Sequence, residues 1–125
     1  SHRVVILVDS SVWIDHLHQA QARLVDLLAA DEVGSHPWVI EELALGSIKD
    51  RGVFIESLAS LRAFPVLAHA EILQFVESRR LWGCGLSAVD AHLLGSVLIT
   101  PGAALWTRDK RLRAAAGEAG VALEG

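Results

Sequence analysis

Val4-Val5-Ile6-Leu7-Val8-Asp9-Ser10-Ser11-Val12-Trp13-Ile14 is the stretch that decides how this 125-residue chain folds. Val4 to Val8 are apolar without interruption and rich in β-branched side chains. A short run of that kind reads as a strand buried on both faces, the habit of parallel sheets. It stops at Asp9, Ser10 and Ser11, residue types that cap helices. Val12, Trp13, Ile14 and Leu17 then supply the apolar positions of a short helix.

The same alternation continues outward. A helix is predicted around Leu24, Leu27 and Leu28, and a short strand over Val33 to His36. Pro37 suits the first turn of a further helix, with Val39, Ile40, Leu43 and Ala44 as its apolar face and Gly46 as its end. Val53, Ile55, Leu58 and Leu61 predict another helix. Pro65-Val66-Leu67 is a candidate strand at a sheet edge or start, where proline is tolerated. Ala70 to Leu81 reads as a helix, Gly83-Cys84-Gly85 as a loop, and Ser87 as the cap of a helix through Val89, Leu93, Leu94 and Val97. Ala103 to Thr107 predicts a buried strand, Asp109 the start of a last helix through Leu112 and Ala116, and Val121 to Leu123 a final strand. Strands alternating with helices give an α/β fold: a three-layer sandwich with a short, mostly parallel sheet flanked by helices.

Composition agrees with one globular domain. Hydrophobic residues make up 52% and charged residues 21%, so the chain has enough apolar surface for a core. No internal repeat or low-complexity linker interrupts it. No apolar run reaches the about 18 residues of a membrane helix, and no secretory signal is visible. Ser1 and His2 read as a tag remnant, which places the domain at 3–125. Cys84 is the single cysteine, which excludes an intrachain disulfide and a cysteine-based zinc site and agrees with a reducing, cytoplasmic setting. The net charge of −4 counts against a module that binds nucleic acid by charge neutralisation alone. It is compatible with a nuclease whose site must be acidic to hold cations.

Acidic residues interrupt these apolar elements at chosen places. Asp9 and Asp109 each follow an apolar strand, and ligands of parallel sheets gather beyond the carboxyl ends of the strands. Asp90 sits inside an apolar helix, where an unpartnered charge is costly. Glu41 and Glu42 are adjacent, about 100° apart on a helix, so both cannot face one point. Converging carboxylates repel unless a cation lies between them, and hard oxygen donors suit Mg²⁺. Each residue also has a plain reading: Asp9 and Asp109 as helix caps, one of the two glutamates as a solvated side chain. Thr107, Ser10 and Ser11 are either site hydroxyls or ordinary strand and cap residues. The six histidines show no metal spacing, and His92 reads as structural or interfacial. Asp15 reads as a solvated helix residue. The tryptophans Trp13, Trp38, Trp82 and Trp106 read as core or interface, with a base-stacking platform as the alternative. Arg108, Lys110, Arg111 and Arg113, and less so Arg79 and Arg80, are either a solvated face or a phosphate-holding one.

Four stretches, in order, resemble the motifs of VapC-type PIN domains: Leu7-Val8-Asp9-Ser10-Ser11-Val12-Trp13-Ile14, Glu42-Leu43-Ala44-Leu45-Gly46, Val89-Asp90-Ala91-His92-Leu93-Leu94, and Leu105-Trp106-Thr107-Arg108-Asp109-Lys110-Arg111-Leu112. The resemblance spans essentially the whole chain. It implies a PIN fold with Asp9, Glu42, Asp90 and Asp109 as the catalytic carboxylates and Asp9 and Asp90 as the principal ligands of Mg²⁺ or Mn²⁺; the resemblance, not spacing, selects Glu42 over Glu41. It further implies endonucleolytic cleavage of RNA (tRNA or rRNA as substrate class), a homodimer, and a cognate antitoxin protein as partner in a type II toxin–antitoxin pair. Three other readings compete: a catalytically silent PIN-fold module that binds RNA or protein, a DNA-directed nuclease, and a receiver-type signalling domain. The last is disfavoured because Asp9 is followed by serines instead of a second acid, and no late lysine is evident.

Overall fold

In the computed structural model, which describes residues 4–125, the opening apolar run becomes strand β1 (Val5–Val8), with every residue buried. Since successive strand residues face opposite sides, β1 is covered on both faces. Ser1 and His2, read above as a tag remnant, lie outside the described residues, as does Arg3. The chain continues as α1 (Ser10–His18), α2 (Ala22–Ala29), β2 (Val33–Ser35), α3 (Pro37–Ala44), α4 (Arg51–Ala59), β3 (Arg62–Ala63), α5 (His69–Arg79), α6 (Ala88–Leu98), β4 (Ala103–Trp106) and α7 (Lys110–Ala119).

The sheet runs in the order β3-β2-β1-β4, and every pairing is parallel. The strands after β1 first build to one side, through β2 and β3; the chain then crosses to place β4 on the other side of β1. The strand order therefore reverses between β1 and β4, and at such a switch the loops diverge and leave a crevice beyond the carboxyl ends. The β1–β4 register, Val5 with Ala103 through Val8 with Trp106, ends both strands level with one another. That brings Asp9 and the Thr107-to-Asp109 turn side by side.

Leu7, Val8, Leu93, Leu94, Leu105 and Leu112 lie at the centre of the core, each fully shielded. α6 is buried along Ala91 to Val97 and packs against β4, α5 and α7. Gly34 in β2 is required by packing, because a Cβ there would stand 2.3 Å from Cε1 of Phe64. The Phe64 ring lies across the bare backbone, a common reason for glycine inside a strand.

Two strand expectations are corrected. The edge strand is Arg62–Ala63, not Pro65 to Leu67. Phe64 N–H still donates to Ser35 O, but Pro65 has no N–H with which to extend the ladder. Residues 121–123 form no strand; Leu123 makes a single bridge with Leu105.

Candidate active site

Asp9 occupies the N-cap position of α1 without acting as a cap: its side chain makes no hydrogen bond to the helix backbone. It is 6% exposed, and burial of a carboxylate calls for donors. Ser11 Oγ donates to Asp9 Oδ2 at 2.8 Å and Thr107 Oγ1 donates to the same oxygen at 2.7 Å. The hydroxyls are themselves fixed, since Arg108 N–H donates to Ser11 Oγ and Asp109 N–H donates to Thr107 Oγ1. Oδ1 receives only a long contact, 3.5 Å, from Ser10 Oγ.

Asp90 and Asp109 repeat this division of labour. Ser87 caps α6 by accepting from Asp90 N–H, while Asp90 Oδ2 accepts from Ser87 N–H at 3.0 Å, a reciprocal capping box. Asp109 caps α7, its Oδ1 accepting from the N–H groups of Arg111 and Leu112. In both, the second carboxylate oxygen has no hydrogen-bond partner among the described residues. Capping and ligation, alternatives in the sequence, are thus compatible in one side chain. Glu42, exposed on α3, is tethered among the described residues only by Ser10 Oγ at 3.4 Å.

The four acids share one electrostatic field. Glu42 has its proton affinity raised by desolvation first and then by the charge of Asp9, with Asp90 adding to the effect and Ser10 opposing it. Desolvation likewise raises Asp90; its Ser87 hydrogen bonds oppose this, and the charges of Asp109 and Asp9 reinforce it. Yet among the described residues no three His, Cys, Asp or Glu side chains form a ready-made metal cage. The donor set is oxygen only, the chemistry that suits Mg²⁺ or Mn²⁺ and not a soft ion, and it fits an ion that keeps much of its own water.

The remaining candidates divide. Arg108 Nε pairs with Asp15 Oδ2 at 2.9 Å, its Nη2 donates to Gln21, and its guanidinium lies 5.7 Å from the Trp106 ring centroid; Asp15 is therefore an ion-pair partner. Arg113 is spent on the Thr107 and Gly125 carbonyls. His16 Nδ1 accepts from Gln21 N–H. His92 is buried and stacks on Trp38 with ring centroids 4.4 Å apart, which joins α3, bearing Glu42, to α6, bearing Asp90.

Sequence reasoning missed His36. It is fully buried and caps α3, its Nδ1 accepting from Trp38 N–H at 3.1 Å. Its Nε2 faces Ser96 Oγ at 3.1 Å, and Ser96 Oγ donates to Pro65 O at 2.6 Å. With Nδ1 an acceptor and the serine proton committed, Nε2 carries the hydrogen. The signal available was position: a polar residue directly before a helix-starting proline is an N-cap candidate.

A parallel α/β sheet with Asp9 and Asp109 beyond the level ends of β1 and β4 defines the class, and comparison with known proteins agrees. The PIN domain family profile matches residues 6–118, and the chain belongs to the PIN-domain family, of the VapC type. It is 66% identical over 119 residues, 95% of this chain and 96% of the other, to Ribonuclease VapC32 of Mycobacterium tuberculosis, in both strain CDC 1551 / Oshkosh and strain H37Rv. A crystal structure of PAE2754 from Pyrobaculum aerophilum superimposes with a TM-score of 0.60 at 21% identity, covering 90% of this chain and 80% of that one; at that identity the likeness concerns the fold.

Proposed function

We propose that this chain is a divalent-metal-dependent endoribonuclease, the toxin half of a VapBC-type pair, carried on a single domain over residues 3–125. The observation that carries the reading is the buried Asp9 at the end of β1, gripped at Oδ2 by Ser11 and Thr107, with Ser10 reaching both its Oδ1 and Glu42; the charges of Asp9 and Asp90 raise Glu42, and those of Asp109 and Asp9 raise Asp90. Carboxylates held against one another in this way are stabilised by a cation. The name of the relatives, Ribonuclease VapC32, supports RNA as substrate and a cognate antitoxin as partner; tRNA or rRNA is the substrate class proposed. A homodimer and a cytoplasmic setting belong to the same proposal; no helix among the described residues is long and apolar enough to cross a membrane.

Asp9 and Asp90 would hold Mg²⁺ or Mn²⁺, with Glu42 and Asp109 completing the pocket directly or through water. The ion would supply a water of lowered pKa and neutralise charge on the phosphate. The chain supplies orientation. Ser11 and Thr107 fix Asp9 by Oδ2 and leave Oδ1 to the crevice, Ser87 does the same for Asp90, and the first turn of α7 does so for Asp109. Glu42, least tethered and raised in proton affinity, is suited to take a proton at Oε2 as water attacks phosphorus in line; the P–O bond opposite the attack breaks, and the leaving oxygen takes a proton from solvent.

The test is incubation of the protein with total RNA, with and without Mg²⁺ or Mn²⁺, beside Asp9→Asn, and sequencing of the new RNA ends. Discrete cuts that need both metal and Asp9 are expected. Metal binding without any cut would favour a silent binding module.

A further inference from the structure

The loop that leads into α6 carries an aromatic ring that the chemistry above leaves unused. Trp82 is 57% exposed, whereas Trp13 and Trp106 are 4% and 7% exposed. The turn that presents it contains Gly83 and Gly85 at φ +71° and +77°, and Arg80 ends α5 at φ +53°. Backbone of this shape favours glycine. An indole held in water on a glycine-bounded turn has no packing explanation.

Cations lie on its loop and on the facing turn of α7. Arg79 donates to Ala119 O, and Arg108 and Arg113 are committed as described. Arg80, Lys110 and Arg111, by contrast, have side chains with neither an ion pair nor a hydrogen bond among the described residues. The Arg111 guanidinium lies against Gly85, where a Cβ would stand 2.8 Å from Nη1, so the loop and the first turn of α7 touch. A hollow of ≈ 290 Å³ between the end of α5 and the body of α7 is lined by Arg79, Arg80, Cys84 and Arg111, with Glu118 as its one acid; Trp82 and Lys110 stand outside it. The loop ends at Ser87, which holds Asp90, and α7 begins at Asp109. On a chain of net charge −4, cations without a partner among the described residues and an exposed ring thus sit on the loop that leads into α6, which bears Asp90, and on the first turn of α7, which follows Asp109.

We propose that Trp82, with Arg80, Lys110 and Arg111, is a platform that holds single-stranded RNA beside the crevice, the indole stacking on a base and the cations holding neighbouring phosphates. The inference rests on the ribonuclease reading. Stacking demands an open base face, which a duplex does not offer, and is tolerant of sequence. The cations supply a salt-dependent attraction.

The experiment measures fluorescence anisotropy of a labelled single-stranded RNA of about 12 nucleotides, and of the same strand annealed to its complement, in EDTA so that cleavage does not intervene. The single strand is expected to bind more tightly than the duplex. Trp82→Ala should weaken it about tenfold, within the usual range for one stacked base, and Trp82→Phe should restore most of the loss. Arg111→Ala should lower the salt dependence by about one phosphate contact. With metal present, the Trp82→Ala loss should fall on KM more than on kcat. Equal binding or equal KM for wild type and Trp82→Ala, in a protein that cleaves RNA, overturns the platform and leaves the ribonuclease reading standing. A wild-type protein that neither binds nor cuts RNA overturns both.

Discussion

Acidification from pH 7 to pH 5 should loosen the fold through His36, buried where β2 ends and α3 begins. Burial, followed by the charge of His92, lowers the pKa of His36 to about 4 from 6.5. Protonation would put an N–H on Nδ1 facing the Trp38 N–H it now accepts, and so break the cap of α3, the helix that bears Glu42. The unfolded chain binds this proton below 6.5 and the folded chain only near 4. The stabilisation is therefore present above 6.5 and is lost as pH falls toward 4. Linkage between those values gives a loss of about 2 kcal/mol between pH 7 and pH 5. His92, also lowered by desolvation, acts in the same direction. Glu42 and Asp90 act oppositely, because their raised folded-state affinity makes protonation favour the folded chain. The assay is urea unfolding of wild type and His36→Asn at both pH values, asparagine keeping an acceptor at the cap. Wild type should lose about 2 kcal/mol more than the variant over this interval. Parallel pH profiles for the two proteins would refute the assignment of His36 as a buried neutral cap.

Thr107→Val keeps the side-chain shape but removes a donor to Asp9 and an acceptor for Asp109 N–H; calorimetry with Mn²⁺ should show affinity reduced about tenfold, while the sheet persists by circular dichroism. Gly34→Ala forces a methyl into the Phe64 ring and should cost about 1–3 kcal/mol in urea unfolding.

The strands that proved readable are those whose neighbours come from afar. Val5 to Val8 and Ala104 to Trp106 are buried by the whole fold, so their apolar runs declare them. Arg62–Ala63 is exposed and only two residues long; it is a strand because β2 offers it a free edge, and no side-chain pattern marks that. The apolar segment Pro65 to Leu67 was the more strand-like to the eye, but its proline lacks the N–H. At the site, the types and places of Asp9, Asp90 and Asp109 were legible because each interrupts or ends an apolar element. The way each carboxylate is held was not legible. Which oxygen faces a hydroxyl or a helix N–H depends on Ser11, Thr107 and Ser87 arriving from separate turns. Glu42 could not be told from Glu41 by periodicity alone. The pairing of Arg108 with Asp15 and the burial of His36 under Ser96 are long-range, and nothing local announces either.

Asp9 and Thr107, whose hydrogen bond helps to form the crevice, lie 98 positions apart, and β1 meets β4 at the same separation. Contacts between such distant segments come late in folding, because a long loop must close before anything is gained. A chain still emerging from the ribosome therefore has its first acid long before it has the hydroxyl that orients it. Partial chains, and molecules in which β4 has peeled away, hold scattered carboxylates with no crevice between them. Chemistry that needs Asp9 held in this way would begin only after β4 has been made and has paired with β1, which leaves a partner present before that moment time to arrive first.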